Sequence, residues 1–377
     1  MSKTQVQSSK SSQFSGVGRN IDKHSQSLIL CVRDRISERK KVKTSWKTSS
    51  WAHTQSVFSH LPTMRGFSVT PFQPATLQLT GIPGMQTGQA WVALTFCILY
   101  LMSITGNLSI LVLVVQEPAL HQPMYCFLSM LSLNDLGVSL STLPTVLATL
   151  CFNYRHVGFD ACLVQMFFIH TFSFMESGML LAMSFDNFVA ICDPLHYATV
   201  LTNSDILALG LGILAKSFIA LFPFPFLVKR LPFFKGNVLH HSYCLHLDLM
   251  KVACGDFHVN NVYGLFVVIV TYGIDSTFIL LYYALILRAV LAIASQEQRL
   301  KALNTCMSHV CAVLAFYVSI IAVSMIHCFW KNAPPVVHPV MSSVYLFVPP
   351  MLNPIIYSVK TKEILRGILK VFQKSQN

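Results

Sequence analysis

Residues 91–115 read WVALTFCILYLMSITGNLSILVLVV, a run without one charged side chain. A helix rises 1.5 Å per residue, so about 20 such residues cross the roughly 30 Å of bilayer hydrocarbon. The run is long enough to span a membrane and too apolar to rest on a soluble surface. Six more charge-poor stretches follow, at 124–150, 162–191, 206–228, 259–287, 302–327 and 336–358. Turn and polar residues separate them, among them Glu117, Pro118, His121 and Gln122 after the first and Pro334 and Pro335 before the seventh. Of 377 residues 53% are hydrophobic and 11% charged, with mean hydropathy +0.56. That leaves too little polar surface to cover a soluble globule of this size. The expected fold is an all-α membrane protein, a seven-transmembrane helix bundle.

Lys and Arg near the span ends set the expected orientation. Lys360, Lys362, Arg366, Lys370 and Lys374 follow the last span, and Arg288, Arg299 and Lys301 precede the sixth. These belong in the cytosol, which puts the N-terminus outside a plasma membrane. TKEILRGILKVF at 361–372 collects Ile364, Leu365, Ile368, Leu369 and Phe372 on one face, the pattern of a short amphipathic helix on the inner leaflet. Four segments result: a basic, disordered extension at 1–63, an extracellular N-terminus at 64–90, the bundle at 91–358, and a cytoplasmic tail at 359–377. The cluster RDRISERKKVK at 33–43 opposes translocation, yet only Arg65 is charged between 64 and 90, the stretch the rule weighs most. The few aromatics of the basic segment favour solvated disorder over a nucleic-acid role. Met64 is the expected start of the functional product, and no cleaved signal peptide is expected.

Ionisable groups at membrane depth cost about 2.5–3.5 kcal/mol each, so those present need a reason. Asp135 lies mid-span in LSLNDLGVS, with Asn107 of TGNLS available as a partner and Asn353 of LNPIIY at comparable depth. A carboxylate and two amides can hydrate a cation or serve only as an interhelical network. Pro354 removes a backbone donor from the last span and frees a carbonyl that side chains or water must satisfy. Glu176, Lys216 and Asp275 are further intramembrane charges.

Three of the eleven cysteines, Cys162, Cys244 and Cys254, fall on the expected outer side, where pairing is favoured; spacing leaves open which loop cysteine meets Cys162. HHSYCLH could offer His240, His241, Cys244 and His246 to a metal, but a cysteine in a disulfide does not ligate and the histidine spacing fits no tight motif. No metal or cofactor is expected. Enzymatic activity lacks a phosphate loop or catalytic constellation. A channel or transporter would need rings of pore charge or repeat symmetry, and neither is visible.

The motifs GN at 106–107, PMY at 123–125, LSLNDLG at 131–137, MLLAMSFDNFVAICDPLHY at 179–197, KALNTCMSHVCAVLAFYV at 301–318 and PPMLNPIIYSVKTKEI at 349–364 occur in order. In this combination the chain resembles an olfactory receptor, a rhodopsin-like G-protein-coupled receptor, and HSYCLHLDLMKVAC resembles the fish-like class I branch, family 51. The resemblance implies an odorant bound from outside, an olfactory stimulatory G protein, adenylyl cyclase and a place in sensory cilia. It implies a Cys162–Cys244 disulfide. It also leaves Cys254 unpaired, because Phe234 stands where relatives carry a second loop cysteine. His170, Ser173, Phe174, His246, Thr271, Tyr317 and Ser324 match or neighbour odorant-facing positions, with a plain core histidine as the alternative for His170. Cys328 and Leu247 replace polar residues of acid-sensing relatives, which implies a neutral odorant. The usual N-terminal glycan acceptor is missing, the one sequon being Asn107-Leu108-Ser109 inside the membrane.

The coupling residues implied are Asp186, Asn187, Tyr283, Lys301, His309, Asn353, Pro354 and Tyr357. The family's Asp-Arg-Tyr triplet reads Asp186-Asn187-Phe188 here. Arg is a long cationic latch and Asn is short and neutral, so weaker G-protein activation is expected, with a receptor fold that couples poorly or not at all as the alternative. Asp193 and His196 are read as shaping the adjoining loop.

Overall fold

The computed structural model describes residues 74–82, 89–231, 233–234, 237–254, 258–330, 334 and 336–360. The expected extension at 1–63 and the amphipathic helix at 364–372 lie outside these residues. Among the described residues, seven helices are long and apolar enough to cross a membrane. They are α1 (Gln89–Gln116), α2 (Pro123–Leu150), α3 (Phe159–Cys192), α4 (Asn203–Lys229), α5 (His258–Ala292), α6 (Gln296–Phe329) and α7 (Val337–Lys360).

The expected spans differ from these mainly at α5 and α6. α5 runs five residues past 287, and α6 begins six before 302, with Glu297, Arg299 and Lys301 in its first turns. Hydropathy marks the hydrocarbon, whereas a helix continues until its backbone finds a stop. Ser295 supplies that stop, capping α6 through a hydrogen bond from the Gln298 amide. At α4, Thr202 and Asp205 form a reciprocal capping box that satisfies two otherwise orphaned amides.

α3 is the axis of the bundle: 78% of its apolar window is buried, against 22% in α5 and α6. The other helices therefore turn apolar residues such as Leu101, Val115, Leu280 and Val318 outward, as hydrocarbon contact requires. Gly106 lets α1 close on α7, since a Cβ there would fall 2.8 Å from the Pro354 ring. α7 stays helical through Pro349, Pro350 and Pro354, and α5 widens into a π-helical turn at Ile269–Gly273.

One end of the bundle is covered by its connections. Strand β1 (Thr76–Leu79) pairs antiparallel with β2 (His156–Gly158) and parallel with β4 (Val238–Leu239), while β3 (Phe233–Phe234) pairs with β5 (Ala253–Cys254). The Cys162–Cys244 disulfide ties this cover to α3. Gln165 reinforces it, accepting from the Cys244 amide at 3.0 Å while donating to the Ser141 carbonyl and Thr145 hydroxyl of α2. The side chain of Cys254 falls outside the described positions.

Candidate functional site

Beneath the covered end, α3 presents Ser173 to two tyrosines, Tyr272 of α5 at 2.9 Å and Tyr345 of α7. A tyrosine inside an apolar span buries its ring and must still find a partner for its hydroxyl. Phe174 packs against Tyr272 at 4.7 Å between ring centres, and Thr271 is buried in the π-helical turn beside it. One turn deeper, Ser177 hydrogen-bonds Tyr317 of α6 at 2.9 Å and donates to the Asp275 carboxylate at 2.8 Å.

The cover closes this region with His246, the first residue of a short loop helix. Its ring lies edge-on to His170 of α3, 6.5 Å between centres, and 5.0 Å from Phe224. The Nε2 atoms of both histidines are buried without a hydrogen-bond partner among the described residues. Burial, aided by the neighbouring His170, pushes the His246 imidazole down to about 3, so it is neutral near pH 7. Behind it, Asp248 lies 2.8 Å from His241 and 3.0 Å from Lys251. Burial alone would raise that carboxyl, but the hydrogen bonds and charge of His241 and Lys251 outweigh it and hold it below the usual range.

Six of the seven ligand candidates thus gather at the covered end. The seventh, Ser324 on α6, is exposed and touches none of the others in a hydrogen bond. Tyr272, Tyr345 and Ser177 were missed from sequence. Their signal was a hydroxyl in an apolar span, which does not say where its partner lies.

The middle of the bundle holds Asp135, Asn107, Glu176 and Asn353, all buried. The Asn353 amide donates to Asp135 at 3.0 Å, and Glu176 lies within reach of both. Asn107 is not the partner of Asp135: it donates to the carbonyls of Ser103 and Pro350, each at 2.9 Å. The helical partner of the Pro350 carbonyl would be the amide of residue 354, and a proline there has none. Asn107 therefore serves the carbonyl that Pro354 leaves open. Among the described residues no three His, Cys, Asp or Glu side chains converge as metal ligands.

At the opposite end, Asp186 is buried and accepts from the Tyr197 hydroxyl at 2.9 Å. Burial, followed by the Asp186 charge, pushes that phenol up. Asn187 is also buried and neighbours Tyr283 of α5, which bonds His309 of α6 at 2.5 Å. Asn187, Tyr283 and His309 thus bring α3, α5 and α6 together at this end. Tyr357 of α7 reaches the Met183 sulfur at 3.9 Å, Lys301 sits exposed on the first turns of α6, and Asp193 pairs with His196 at the surface.

A seven-helix membrane bundle, with a disulfide-tied cover over one polar cluster and a second cluster bridging α3, α5 and α6 at the other end, has the form of a transmembrane receptor. Residues 96–375 match the olfactory receptor family. The chain is 81% identical over 313 residues to "Olfactory receptor 51I1" of Homo sapiens, covering 83% of this chain and 100% of that one. It is 60% identical over 306 residues to "Olfactory receptor 51I2" of Homo sapiens (81% and 97%) and 54% over 298 residues to "Olfactory receptor 51G2" of the same species (79% and 95%). The chain belongs to the olfactory receptor family. It is a multi-pass membrane protein and a G-protein-coupled odorant receptor, not an enzyme. This membership favours a signalling receptor over a receptor fold that binds without coupling.

Proposed function

We propose that this receptor binds a neutral odorant under its covered end and activates a stimulatory G protein of the olfactory type, raising cAMP through adenylyl cyclase. The observation that carries the ligand class is the set of groups there: the Ser173, Tyr272 and Tyr345 hydroxyls and two buried imidazole nitrogens without partners, His246 being neutral. Such groups match a hydroxyl, carbonyl or ether oxygen, whereas a carboxylate would need a cation to offset its desolvation. His170, Ser173, Phe174, His246, Thr271 and Tyr317 are the contact residues in this reading, with Ser324 at its margin.

The covered end faces outward, and the Asp186–Asn187 end faces the cytosol, in the cilia of olfactory neurons. There Asp186, Asn187, Tyr283, Lys301 and His309 form the coupling face. Asn353, Pro354 and Tyr357 form with Asn107 and Asp135 the polar hinge between the two ends. Agonist shifts the bundle only by binding its open arrangement more tightly than its closed one. The test is a cAMP assay of the full chain over a panel of alcohols, ketones, esters and short carboxylic acids. Responses to neutral compounds that His246→Ala and Ser173→Ala weaken are expected; a dominant response to short carboxylates at neutral pH would overturn the ligand class.

A further inference from the structure

Away from the odorant cluster, α3, α4 and α5 leave a cleft of about 810 Å³ on the flank of the bundle. Its walls are mainly apolar, with Leu181 and Phe185 of α3, Leu209 and Ile213 of α4, and Phe278 of α5. Leu209 and Phe278 are exposed, so it opens sideways, where the bilayer lies. It extends from Asp205 to Lys216, eleven residues or about 16 Å along α4. Gly212 lines it, and a Cβ there would meet nothing within 4 Å.

Lys216 stands about half-way along α4, where an unshielded ammonium is costly. Its Nζ lies 3.1 Å from both oxygens of Asp275, which accounts for two of its three protons. The pair is lopsided. The Asp275 side chain is 3% exposed and turned inward to Ser177, while that of Lys216 is 44% exposed and lines the cleft. A donor facing hydrocarbon without an acceptor is unfavourable, so the cleft calls for an oxygen at this point. It does not call for a charge. Asp275 already balances Lys216; an added anion would lie beside that carboxylate and an added cation would oppose the ammonium.

We propose that this cleft is a second binding site, entered from the bilayer, for a neutral lipophile with one hydroxyl or carbonyl oxygen, which accepts from Lys216 while the hydrocarbon body lies along Gly212 towards Asp205. A membrane-dissolved alcohol, aldehyde or ketone with a long chain has this chemistry. An occupant here wedges α3, α4 and α5 together from outside, and the Lys216–Asp275–Ser177–Tyr317 hydrogen bonds link the cleft to the floor of the odorant cluster.

The test uses the full-length receptor purified into phosphatidylcholine nanodiscs, with a long-chain alkanol bearing a diazirine as the probe, and needs no odorant response. Photolabelling is expected on the α4 peptide containing Gly212, displaced by unlabelled alkanol but not by the alkylammonium or carboxylate of equal length. Gly212→Leu fills open space without collision and should reduce labelling to background, as should Ala208→Leu, a second lining position. The neutral pair Lys216→Met/Asp275→Asn should lower alkanol affinity tenfold or more, roughly the worth of one hydrogen bond from a charged donor, and erase the preference for the alkanol over the matching alkane. Labelling that Gly212→Leu and Ala208→Leu leave unchanged, or equal labelling by the alkane in the unaltered receptor, would overturn the proposal. So would efficient crosslinking between two Gly212→Cys copies that the alkanol does not compete, which would assign the cleft to a second copy of the chain.

Discussion

The Asn107 amide donates to the Pro350 carbonyl at 2.9 Å, across the α1–α7 contact and at the one backbone acceptor that Pro354 deprives of its helical partner. Ser103 adds a longer bond of 3.4 Å to the same oxygen. A helix break and a polar side chain one helix away thus form a single unit, and they are separable by mutation. Asn107→Ala should destabilise the purified receptor by about 1–3 kcal/mol, since it leaves the buried Pro350 carbonyl with only the longer Ser103 bond. In the Pro354→Ala background, where the backbone amide is restored, the same change should cost clearly less. Thermal unfolding of the four forms measures the difference, and strictly additive losses would refute the unit.

Charge in the bundle should show the same dependence on partners. Lys216→Met alone leaves Asp275 buried beside Ser177 without its cation, and should strongly reduce surface delivery. Lys216→Met/Asp275→Asn removes both charges and should recover most of it, because a matched deletion avoids the uncompensated ion. Flow cytometry of tagged receptors reads the outcome. A double variant no better than the single one would mean that the pair does more than balance charge.

Asn187 is uncharged where the Asp-Arg-Tyr pattern implied by the resemblance would place a cation, and Asp186 accepts from Tyr197 instead. Asn187→Arg should raise agonist-driven cAMP at matched surface level, since an arginine can neutralise Asp186 or extend towards the G protein. Equal responses would show that the missing cation does not limit coupling.

The pH dependence of stability should report His246. Its folded value, about 3, is below the ordinary 6.5, so the folded state takes up fewer protons than the unfolded one as pH falls through 6.5. Stability is then undiminished above that pH and declines below it, by about 1.4 kcal/mol from this group at pH 5.5. Asp248, held low, contributes no slope in this window because its carboxyl is ionised in both states. Unfolding temperatures at pH 7.5 and 5.5 should differ less in His246→Gln than in the unaltered receptor. An identical difference would place the titration elsewhere.

Seven spans were legible in the sequence because hydrocarbon imposes one crude demand, some 20 residues without charge, which Trp91–Val115 meets by composition alone. The motif string carried the family for the same reason: it is a property of order along the chain. The buried polar residues were equally visible, since each intramembrane charge is conspicuous among apolar neighbours. Who bonds whom was decided only by tertiary structure. Asn107 was expected beside Asp135, yet the crossing of α1 on α7, made close by Gly106, delivers it to Pro350 and leaves Asp135 to Asn353. Lys216 and Asp275 stand 59 residues apart, and no periodicity within either helix anticipates their meeting. A hydrogen bond is fixed to a few tenths of an ångström by how helices rotate and approach, whereas partition into a membrane sums over a whole segment, and only the second can be read one residue at a time.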